Sequence, residues 1–339
     1  MRGGRHRSGK RGTQQMEYRR LGNSGLEISA IGLGSWLTYG TRTEEETARA
    51  CIARAYDHGV TFFDTANAYG RGRAEEVVGR ALAVYARDSY VLATKVYFPM
   101  GDSPTQRGLS RKHIVDQCDA SLRRLQTDYI DLYQCHRYDP GTPLEEVLRA
   151  LEDLVRWGKI RYAGVSEWSA AQLEEAVRCQ RQRGWDRLIS NQPIYNMLVR
   201  YVEEAVLPVS HQLGLGQVVF SPLAQGILTG KYTEIHALPP GSRATQEGAN
   251  QWIKSYLVPE VLEAVGRLRT MAESNGWTLP ALALAWVLRR QEVSAVIIGA
   301  SRPEQIDQNL SALDISWSPE LTGQVDEILR PLAGFKPVW

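Results

Sequence analysis

Short apolar, β-branched runs alternate with longer amphipathic segments along most of the chain. The runs cover residues 31–33, 61–63, 90–94, 129–134, 160–165, 188–191, 217–220 and 295–298. The first five begin about 30 residues apart, which is the length of one strand-helix unit. Because their apolar residues are continuous and not alternating, the runs predict parallel strands that are covered on both faces.

The segments between the runs have helical spacing. They predict helices over residues 43–58, 73–86, 111–125, 143–157 and 169–183. Thr43 with Glu46, and Ser169 with Gln172, have the spacing of a capping box, in which each side chain bonds a free backbone N–H. The glycines that end helices in this pattern are Gly59, Gly158 and Gly184.

Eight strands joined by crossovers, without a second zone of composition, favour one domain: a closed TIM (β/α)8 barrel over residues 16–339. A doubly wound sheet of eight strands is the alternative. Residues 17–30 carry a hairpin signal, which we expect to close the bottom of the barrel. The connection 221–294 is long enough to predict a functional loop.

Composition adds the expectation of a soluble, cytoplasmic protein. No apolar run approaches the ~20 residues of a membrane helix, so we expect no membrane insertion. Five basic residues and no acid lie in residues 1–15, which we expect to be a disordered basic extension. The rest has 35 basic against 38 acidic residues, and this near-neutral balance predicts no nucleic-acid partner.

The four cysteines have neither disulfide nor zinc-site spacing, so we expect free thiols and no metal. Cys135 precedes His136 on a predicted strand, where adjacent side chains point to opposite faces. We therefore interpret Cys135 as a core residue and not as a nucleophile paired with this histidine.

Four titratable side chains follow predicted strands: Asp64, Tyr69, Lys95 and His136. The carboxyl ends of parallel strands converge on one face of a barrel, so we expect them to meet there. Each has an ordinary explanation alone: a helix cap, a loop tyrosine, a structural ion pair with Asp64, or a rim histidine. It is the weaker hypothesis that all four ordinary explanations hold together for residues at one end of consecutive strands. The set therefore predicts an enzyme.

The set is suited to proton transfer to a carbonyl oxygen. A tyrosine phenol has a pKa of about 10, which is high for an acid catalyst near neutrality. A lysine cation about 4 Å away, at an effective dielectric of ~20, lowers that pKa by roughly three units. We expect Lys95 to act on Tyr69 in this way, Asp64 to hold Lys95, and His136 to orient the substrate oxygen.

Carbonyl reduction also needs a hydride source, and two familiar nucleotide motifs fail. Gly32-Leu33-Gly34 is followed by Leu37 where a dinucleotide fingerprint has its third glycine. Residues 226–231 are one residue short of a phosphate loop. Residues 299–305 are a better anion site, with Ser301 expected to cap the helix opening at Pro303 and Arg302 to meet a second phosphate. A plain cap with a solvated arginine is the alternative.

Residues 16–339 resemble the aldo-keto reductases. The motifs are Asp64-Thr65-Ala66-Asn67-Ala68-Tyr69-Gly70, Gly32-Leu33-Gly34-Ser35-Trp36, Gly108-Leu109-Ser110-Arg111-Lys112-His113, Ser221-Pro222-Leu223-Ala224-Gln225-Gly226 and the segment 299–309. They are closest to the branch that contains the voltage-gated potassium channel beta subunits and their bacterial and plant reductase relatives.

The resemblance implies that NADPH or NADP binds without a Rossmann fold. The implied cofactor-binding residues are Ser35, Trp36, Asp64, Ser166, Gln192, Phe220, Ser221, Pro222, Leu223, Gln225, Lys231, Arg243, Gly299, Ser301, Arg302, Gln305, Gln308 and Asn309. In this pattern Ser166 and Gln192 hold the nicotinamide carboxamide, and Phe220 stacks on its ring. The loop 221–243 lines the pyrophosphate, and the segment 301–309 surrounds the 2′-phosphate and the adenine.

Two departures from the channel subunits bear on function. Those subunits carry asparagine where His136 stands, so His136 favours an enzyme. Glu167 stands where the branch often has arginine or asparagine, which affects the surroundings of the carboxamide. We expect Trp36, Tyr97, Phe98 and Trp168 to line an aromatic mouth for a small carbonyl substrate.

Three hypotheses follow. The first is NADPH-dependent reduction of aldehydes or ketones to alcohols, with the proton from Tyr69. The second is a nucleotide-sensing regulatory protein, similar to the channel beta subunits, with slow reductase activity. The third is an aldolase that uses Lys95 as a Schiff-base nucleophile, against which the nearby Asp64 argues because it keeps the amine protonated. The sequence leaves the physiological substrate and a homo-oligomeric state open.

Overall fold

The computed structural model describes residues 16–40, 43–248 and 250–337. The predicted basic extension, residues 1–15, lies outside the described residues. The strands are β1 (Tyr18–Arg20), β2 (Glu27–Ser29), β3 (Ile31–Gly34), β4 (Phe62–Asp64), β5 (Val91–Val96), β6 (Ile130–Cys135), β7 (Ile160–Ser166), β8 (Ser190–Gln192), β9 (Gly216–Val219) and β10 (Val293–Ile298). The helices are α1 (Glu45–Asp57), α2 (Arg73–Leu82), α3 (Arg111–Leu125), α4 (Leu144–Arg156), α5 (Ala170–Arg183), α6 (Val206–Leu213), α7 (Pro259–Ser274), α8 (Leu279–Leu288), α9 (Glu304–Leu310) and α10 (Pro319–Leu329).

Strands β3 to β10 form a closed barrel in which every neighbouring pair is parallel, in the order β10-β3-β4-β5-β6-β7-β8-β9. This confirms the TIM barrel, and the doubly wound sheet is wrong because β10 pairs with β3 and leaves no edge. Each predicted run overlaps one of these strands. All residues of β5 and β10 are buried, as expected for strands between an inner core and outer helices.

The hairpin β1–β2 closes the bottom of the barrel, as predicted. Its strands pair antiparallel, with Tyr18 opposite Ser29. Leu21 and Ile28 are fully buried and pack in one cluster with Phe62, Val91 and other inward-facing residues of the barrel. This cluster is the apolar floor of the barrel interior, so polar side chains above it face the opposite, carboxyl end.

Of the two predicted capping boxes, one is confirmed and one is wrong. Ser169 and Gln172 form the predicted capping box at the start of α5. The box predicted for Thr43 is wrong, because α1 begins at Glu45 and Glu44 is its N-cap residue, without a side-chain cap. The Thr43 N–H instead donates to the Thr38 carbonyl and belongs to the preceding loop.

Burial confirms the core interpretation of Cys135. Its side chain is fully buried in the core between the barrel and its helices, and burial raises the pKa of the thiol to about 12. None of the helices in the described part of the chain has the length and apolar character needed to cross a lipid bilayer.

Candidate active site

The structure brings the four predicted catalytic side chains together at the carboxyl end of the barrel. The Lys95 Nζ lies 2.5 Å from the Asp64 Oδ1 and 3.3 Å from the Tyr69 Oη, and it donates to the Thr65 carbonyl at 2.8 Å. The ring of His136 lies 5.6 Å from that of Tyr69, centroid to centroid. One ammonium group therefore joins the carboxylate to the phenol, beside the imidazole.

Lys95 remains charged although its side chain is fully buried. Burial is the largest influence and by itself lowers the pKa of the amine, because a low dielectric disfavours the cation. The charge of Asp64 and the contact with Tyr69 outweigh burial, so the pKa of Lys95 is raised overall. A charged lysine is a poor Schiff-base nucleophile, which argues further against the aldolase hypothesis.

The expected net lowering of the Tyr69 pKa is wrong. Burial raises the pKa of the phenol more than the nearby Lys95 lowers it, and Asp64 adds to the rise. The distance argument from the sequence omitted this desolvation. Tyr69 is consequently protonated near neutrality, which is the form that donates a proton.

His136 is neutral in this setting. Burial, then the charges of Lys95 and Arg137, lower the pKa of the imidazole well below its usual value of 6.5. Within the described part of the chain, neither ring nitrogen has a hydrogen-bond partner. A neutral imidazole carries one N–H donor, so the ring can hold a carbonyl oxygen next to the Tyr69 hydroxyl.

Sequence reasoning missed Gln134, which belongs to the same buried network. The Oδ2 of Asp64 accepts from the Gln192 Nε2 at 3.0 Å and from the Gln134 Nε2 at 3.4 Å. The Gln134 Oε1 in turn accepts from the Gln192 Nε2 at 3.3 Å. One polar signal was available: Gln134 in β6 lies two residues before His136, which directly follows that strand, so the two residues are expected on the same side.

Gly164, which has no side chain, leaves space for the Gln134 side chain. A Cβ at Gly164 would lie 2.3 Å from the Ser190 Oγ and 3.2 Å from the Gln134 Cγ. Nearby, the Ser166 Oγ donates to the Gln192 carbonyl at 2.8 Å. Ser166 and Gln192, the two residues implied for the nicotinamide carboxamide, are thus in contact and are linked to Asp64.

Backbone strain is concentrated at the same end of the barrel. In the described residues, seven non-glycine residues have a positive φ, and six of them lie in loops that follow barrel strands: Leu37, Arg71, Glu167, Ser221, Ala224 and Gln225. The seventh, Gln126, ends helix α3. Such conformations cost energy and cluster at ligand sites, so the strain independently places the functional face at the carboxyl end.

Part of the predicted cofactor set converges in the loop after β9. The Gln225 Nε2 donates to the Ser221 Oγ, and the Arg243 Nη1 donates to the Gln225 Oε1, both at 2.5 Å. Lys231 approaches Gly226 in the same loop. Pro222 and Gln225 are buried, while Leu223 is half-buried.

Trp36 and Trp168, both predicted to line the aromatic mouth, lie in different surroundings. Trp36 lies between Tyr69, Phe220 and Trp252, at ring distances of 6.4, 6.4 and 5.6 Å. The prediction that Trp168 lines the mouth is wrong, because its side chain is 2% exposed and packs on Tyr138.

The other predicted mouth residues reach the site directly or through a neighbour. Phe98 packs against His136 at 4.8 Å, and Tyr97 packs against Phe98 at 5.3 Å, between ring centroids. The Ser35 N–H donates to the Asp64 carbonyl, and its Oγ donates to Thr65, so Ser35 lies beside Asp64.

The segment after β10 differs in detail from the prediction. Helix α9 begins at Glu304 with Pro303 as its N-cap residue, so the cap predicted for Ser301 is wrong. The Ser301 N–H instead donates to the Gln305 Oε1 at 2.8 Å. Gly299, Arg302 and Gln308 are exposed and Asn309 is buried. Within the described residues Arg302 has no ion pair.

Comparison with known proteins agrees with the fold. The model of the Aldo/keto reductase family matches residues 30–330. A protein named "Probable voltage-gated potassium channel subunit beta" in Arabidopsis thaliana is 40% identical over 320 residues, covering 93% of this chain and 97% of its own. A protein named "Putative voltage-gated potassium channel subunit beta" in Schizosaccharomyces pombe is 40% identical over 336 residues, or 94% of each chain. The chain belongs to the aldo/keto reductase family of oxidoreductases.

Proposed function

We propose that this protein catalyses the NADPH-dependent reduction of aldehydes and ketones to alcohols. The observation that supports it most is the half-buried contact of Tyr69 with Lys95, 3.3 Å from oxygen to nitrogen, beside a neutral His136 that has no hydrogen-bond partner for its ring among the described residues. This arrangement offers a proton and a hydrogen-bond donor to one carbonyl oxygen. A structural ion pair between Asp64 and Lys95 would need neither the phenol nor the imidazole.

The residues present fit the cofactor. The loop after β9 holds Ser221, Ala224 and Gln225 in strained positive-φ conformations, which cluster at ligand sites. Arg243 and Lys231 add positive charge to that loop, which suits a pyrophosphate. Arg302 is exposed without an ion pair among the described residues, and a free guanidinium binds a 2′-phosphate well.

The proposed chemistry follows from the protonation states. When bound, NADPH supplies the hydride that adds to the carbonyl carbon. The Tyr69 Oη gives its proton to the carbonyl oxygen, and the Lys95 cation stabilises the phenolate that remains. His136 donates a hydrogen bond to the same oxygen and orients it, while Asp64 holds the ammonium group in place.

Replacement of Tyr69 by phenylalanine tests the proton donor. General acid catalysis contributes about 10²–10⁴-fold, so Y69F should lower kcat by that factor while NADPH still binds, as followed by cofactor absorbance and fluorescence. Exposed Tyr18, which lies in the bottom hairpin, is a matched position: Y18F should retain wild-type kcat. Unchanged turnover of Y69F would refute the role of Tyr69.

Cofactor choice has a separate test. We expect the wild-type protein to prefer NADPH over NADH, because the nicotinamide end is the same in both and only the 2′-phosphate contacts Arg302. Arg302→Ala should reduce this preference by about tenfold or more, since a charge-assisted contact contributes about 1.5–3 kcal/mol. An R302A variant with undiminished preference would place the phosphate elsewhere.

A second candidate function rests on the names of the relatives. Both relatives named above are described as potassium channel beta subunits and match this chain over nearly its whole length. A regulatory protein of that kind would bind NADPH tightly and turn over carbonyl compounds slowly. A panel of aldehydes and ketones therefore separates the two: tight cofactor binding with negligible turnover throughout would favour regulation over metabolism.

A further inference from the structure

A half-buried guanidinium lies next to the catalytic imidazole and has no assigned role. Arg137 directly follows His136, and its Nη1 donates to the His136 carbonyl at 2.6 Å. In the described part of the chain, this is its one hydrogen bond, and no carboxylate forms an ion pair with it. Arginine presents five N–H donors, so most of this group's bonding capacity is unused.

The guanidinium lies beside Phe98, one of the rings that packs against His136. Its Cζ lies 5.6 Å from the centre of the Phe98 ring, which also packs against the His136 ring at 4.8 Å. Tyr69, His136, Phe98 and Arg137 therefore form a continuous row across the mouth. Its charge also acts on both reacting groups: after the larger effects of burial and Lys95, it lowers the pKa of Tyr69 and of His136.

The second observation is the unpartnered imidazole itself. His136 is 6% exposed, and neither of its ring nitrogens is bonded within the described residues. The Nδ1 is the buried nitrogen of the two, and the Nε2, which has no partner among the described residues, is the one that can bond a ligand atom. A carbonyl oxygen at His136 and Tyr69 would place the rest of the substrate against Phe98, with Arg137 beyond it.

Glu167, a carboxylate on which the charge of Arg137 acts, is bonded to other residues. The Glu167 Oε1 accepts from the Ile194 N–H at 2.5 Å, and its Oε2 accepts from the Tyr201 hydroxyl at 3.1 Å. Burial raises the pKa of this carboxyl, while the Ile194 bond and the charge of Arg137 act in the opposite direction. Glu167 therefore moderates the positive potential of Arg137 without occupying its donors.

We propose that the site accepts carbonyl substrates that carry a carboxylate, with Arg137 binding the carboxylate while Tyr69 and His136 bind the carbonyl oxygen. The inference rests on the proposed reductase function and adds a substrate class to it. A guanidinium and a carboxylate match in two parallel N–H···O bonds, which makes the pairing selective for this group. Phe98 would provide the surface between the two polar ends.

The test uses the 2-, 3- and 4-isomers of carboxybenzaldehyde, each with its methyl ester as a neutral counterpart. The measured quantity is the ratio of kcat/KM for acid and ester, with NADPH as reductant. For at least one isomer we expect a wild-type ratio of about 10 or more, arising mainly from KM. In Arg137→Gln the ratio should fall to about 1. In Arg137→Lys the charge remains but the two parallel N–H donors of the guanidinium are lost, so the ratio should be intermediate.

Two further variants sharpen the result. Glu167→Gln keeps an acceptor for Ile194 but removes the negative charge, so it should raise the acid-to-ester ratio. Arg178→Gln makes the same charge change as R137Q on an exposed position of α5 and should leave the ratio unchanged. Equal loss of the ratio in R178Q would show a net-charge effect and overturn the proposal.

The outcomes separate the inference from the function on which it rests. Good turnover of the esters with a wild-type ratio of 1 or less for all isomers overturns the carboxylate site and leaves the reductase intact. No turnover of any aldehyde refutes the reductase. In that case calorimetric titration of the NADP-bound protein decides: benzoate must bind more tightly than benzamide, and R137Q must abolish the difference, or the proposal fails.

Discussion

Replacement of Lys95 by methionine tests what holds the centre of the site together. The Lys95 side chain is fully buried and that of Asp64 is 4% exposed. Methionine fills a similar volume but leaves the Asp64 Oδ1 without its cation, while Oδ2 keeps its two amide donors. Breaking a buried pair on one side typically costs about 3–5 kcal/mol, because the remaining charge is uncompensated. We expect the free energy of unfolding to fall by that amount.

The double variant provides the decisive comparison. Asp64→Asn alone leaves a buried ammonium group and should also cost about 3–5 kcal/mol. In Asp64→Asn/Lys95→Met neither charge remains, so the loss should be smaller than the sum of the two single losses by at least about 2 kcal/mol. This non-additivity measures the ion pair itself and not the packing of the methylene groups.

Urea denaturation followed by far-UV circular dichroism provides the measurement, with the slope m checked to be equal among variants. Lys112→Met is the matched control. This substitution removes an ion pair with Asp116 on α3, and the side chain of Lys112 is 63% exposed. The free energy of unfolding should therefore fall by less than about 0.5 kcal/mol. The reasoning is refuted if K95M costs under 1 kcal/mol or if the two single losses add.

Three other perturbations have defined outcomes. Gln134→Leu removes an amide that bonds both Asp64 and Gln192, next to the proposed cofactor site. It should raise the KM for NADPH about three- to tenfold, measured together with the urea midpoint of the variant. Gly164→Ala places a Cβ 2.3 Å from the Ser190 Oγ and should cost about 1–3 kcal/mol, whereas Gly25→Ala, with no atom within 4 Å of its Cβ, should be neutral. Because burial lowers the pKa of His136, below pH 6.5 the unfolded chain binds a proton that the folded chain does not. Stability should therefore fall as the pH drops below 6.5, with a slope that approaches about 1.4 kcal/mol per unit roughly one unit lower, and it should fall less in His136→Asn.

The barrel was predictable because its signals are local and repeated. Each strand is a short apolar run, and burial on both faces removes the alternation that would suggest an open sheet. The positions of Asp64, Lys95 and His136 followed from the same runs, because residues that end parallel strands lie together at the carboxyl end of the barrel. Local signals failed where the chain had a second choice, as at Thr43, whose backbone bonds Thr38 instead of starting a helix.

The electrostatics of the site were predictable only in part. A distance between Lys95 and Tyr69 is a pairwise quantity that a spacing argument can supply. Desolvation is a property of everything around the phenol, and it reverses the sign of the net pKa shift. The partners of Glu167 were equally hidden, because its backbone N–H and its carboxylate bond residues 25 or more positions further along the chain.

The two oxygens of Asp64 show why the proposed proton donor and the proposed cofactor site need not be independent. Oδ1 bonds the lysine that contacts Tyr69, and Oδ2 bonds the Gln192 amide. A rotation of Gln192 on binding a carboxamide would change the bonding at Oδ2 and shift charge toward Oδ1, which strengthens its hold on Lys95. The phenol would then respond to occupancy of the cofactor site through one carboxylate. Such coupling predicts an effect of the variant Q134L, in which the Gln192 amide has lost its hydrogen bond to Gln134. In this variant the pKa of Tyr69 should depend less on bound NADP than in the wild-type protein.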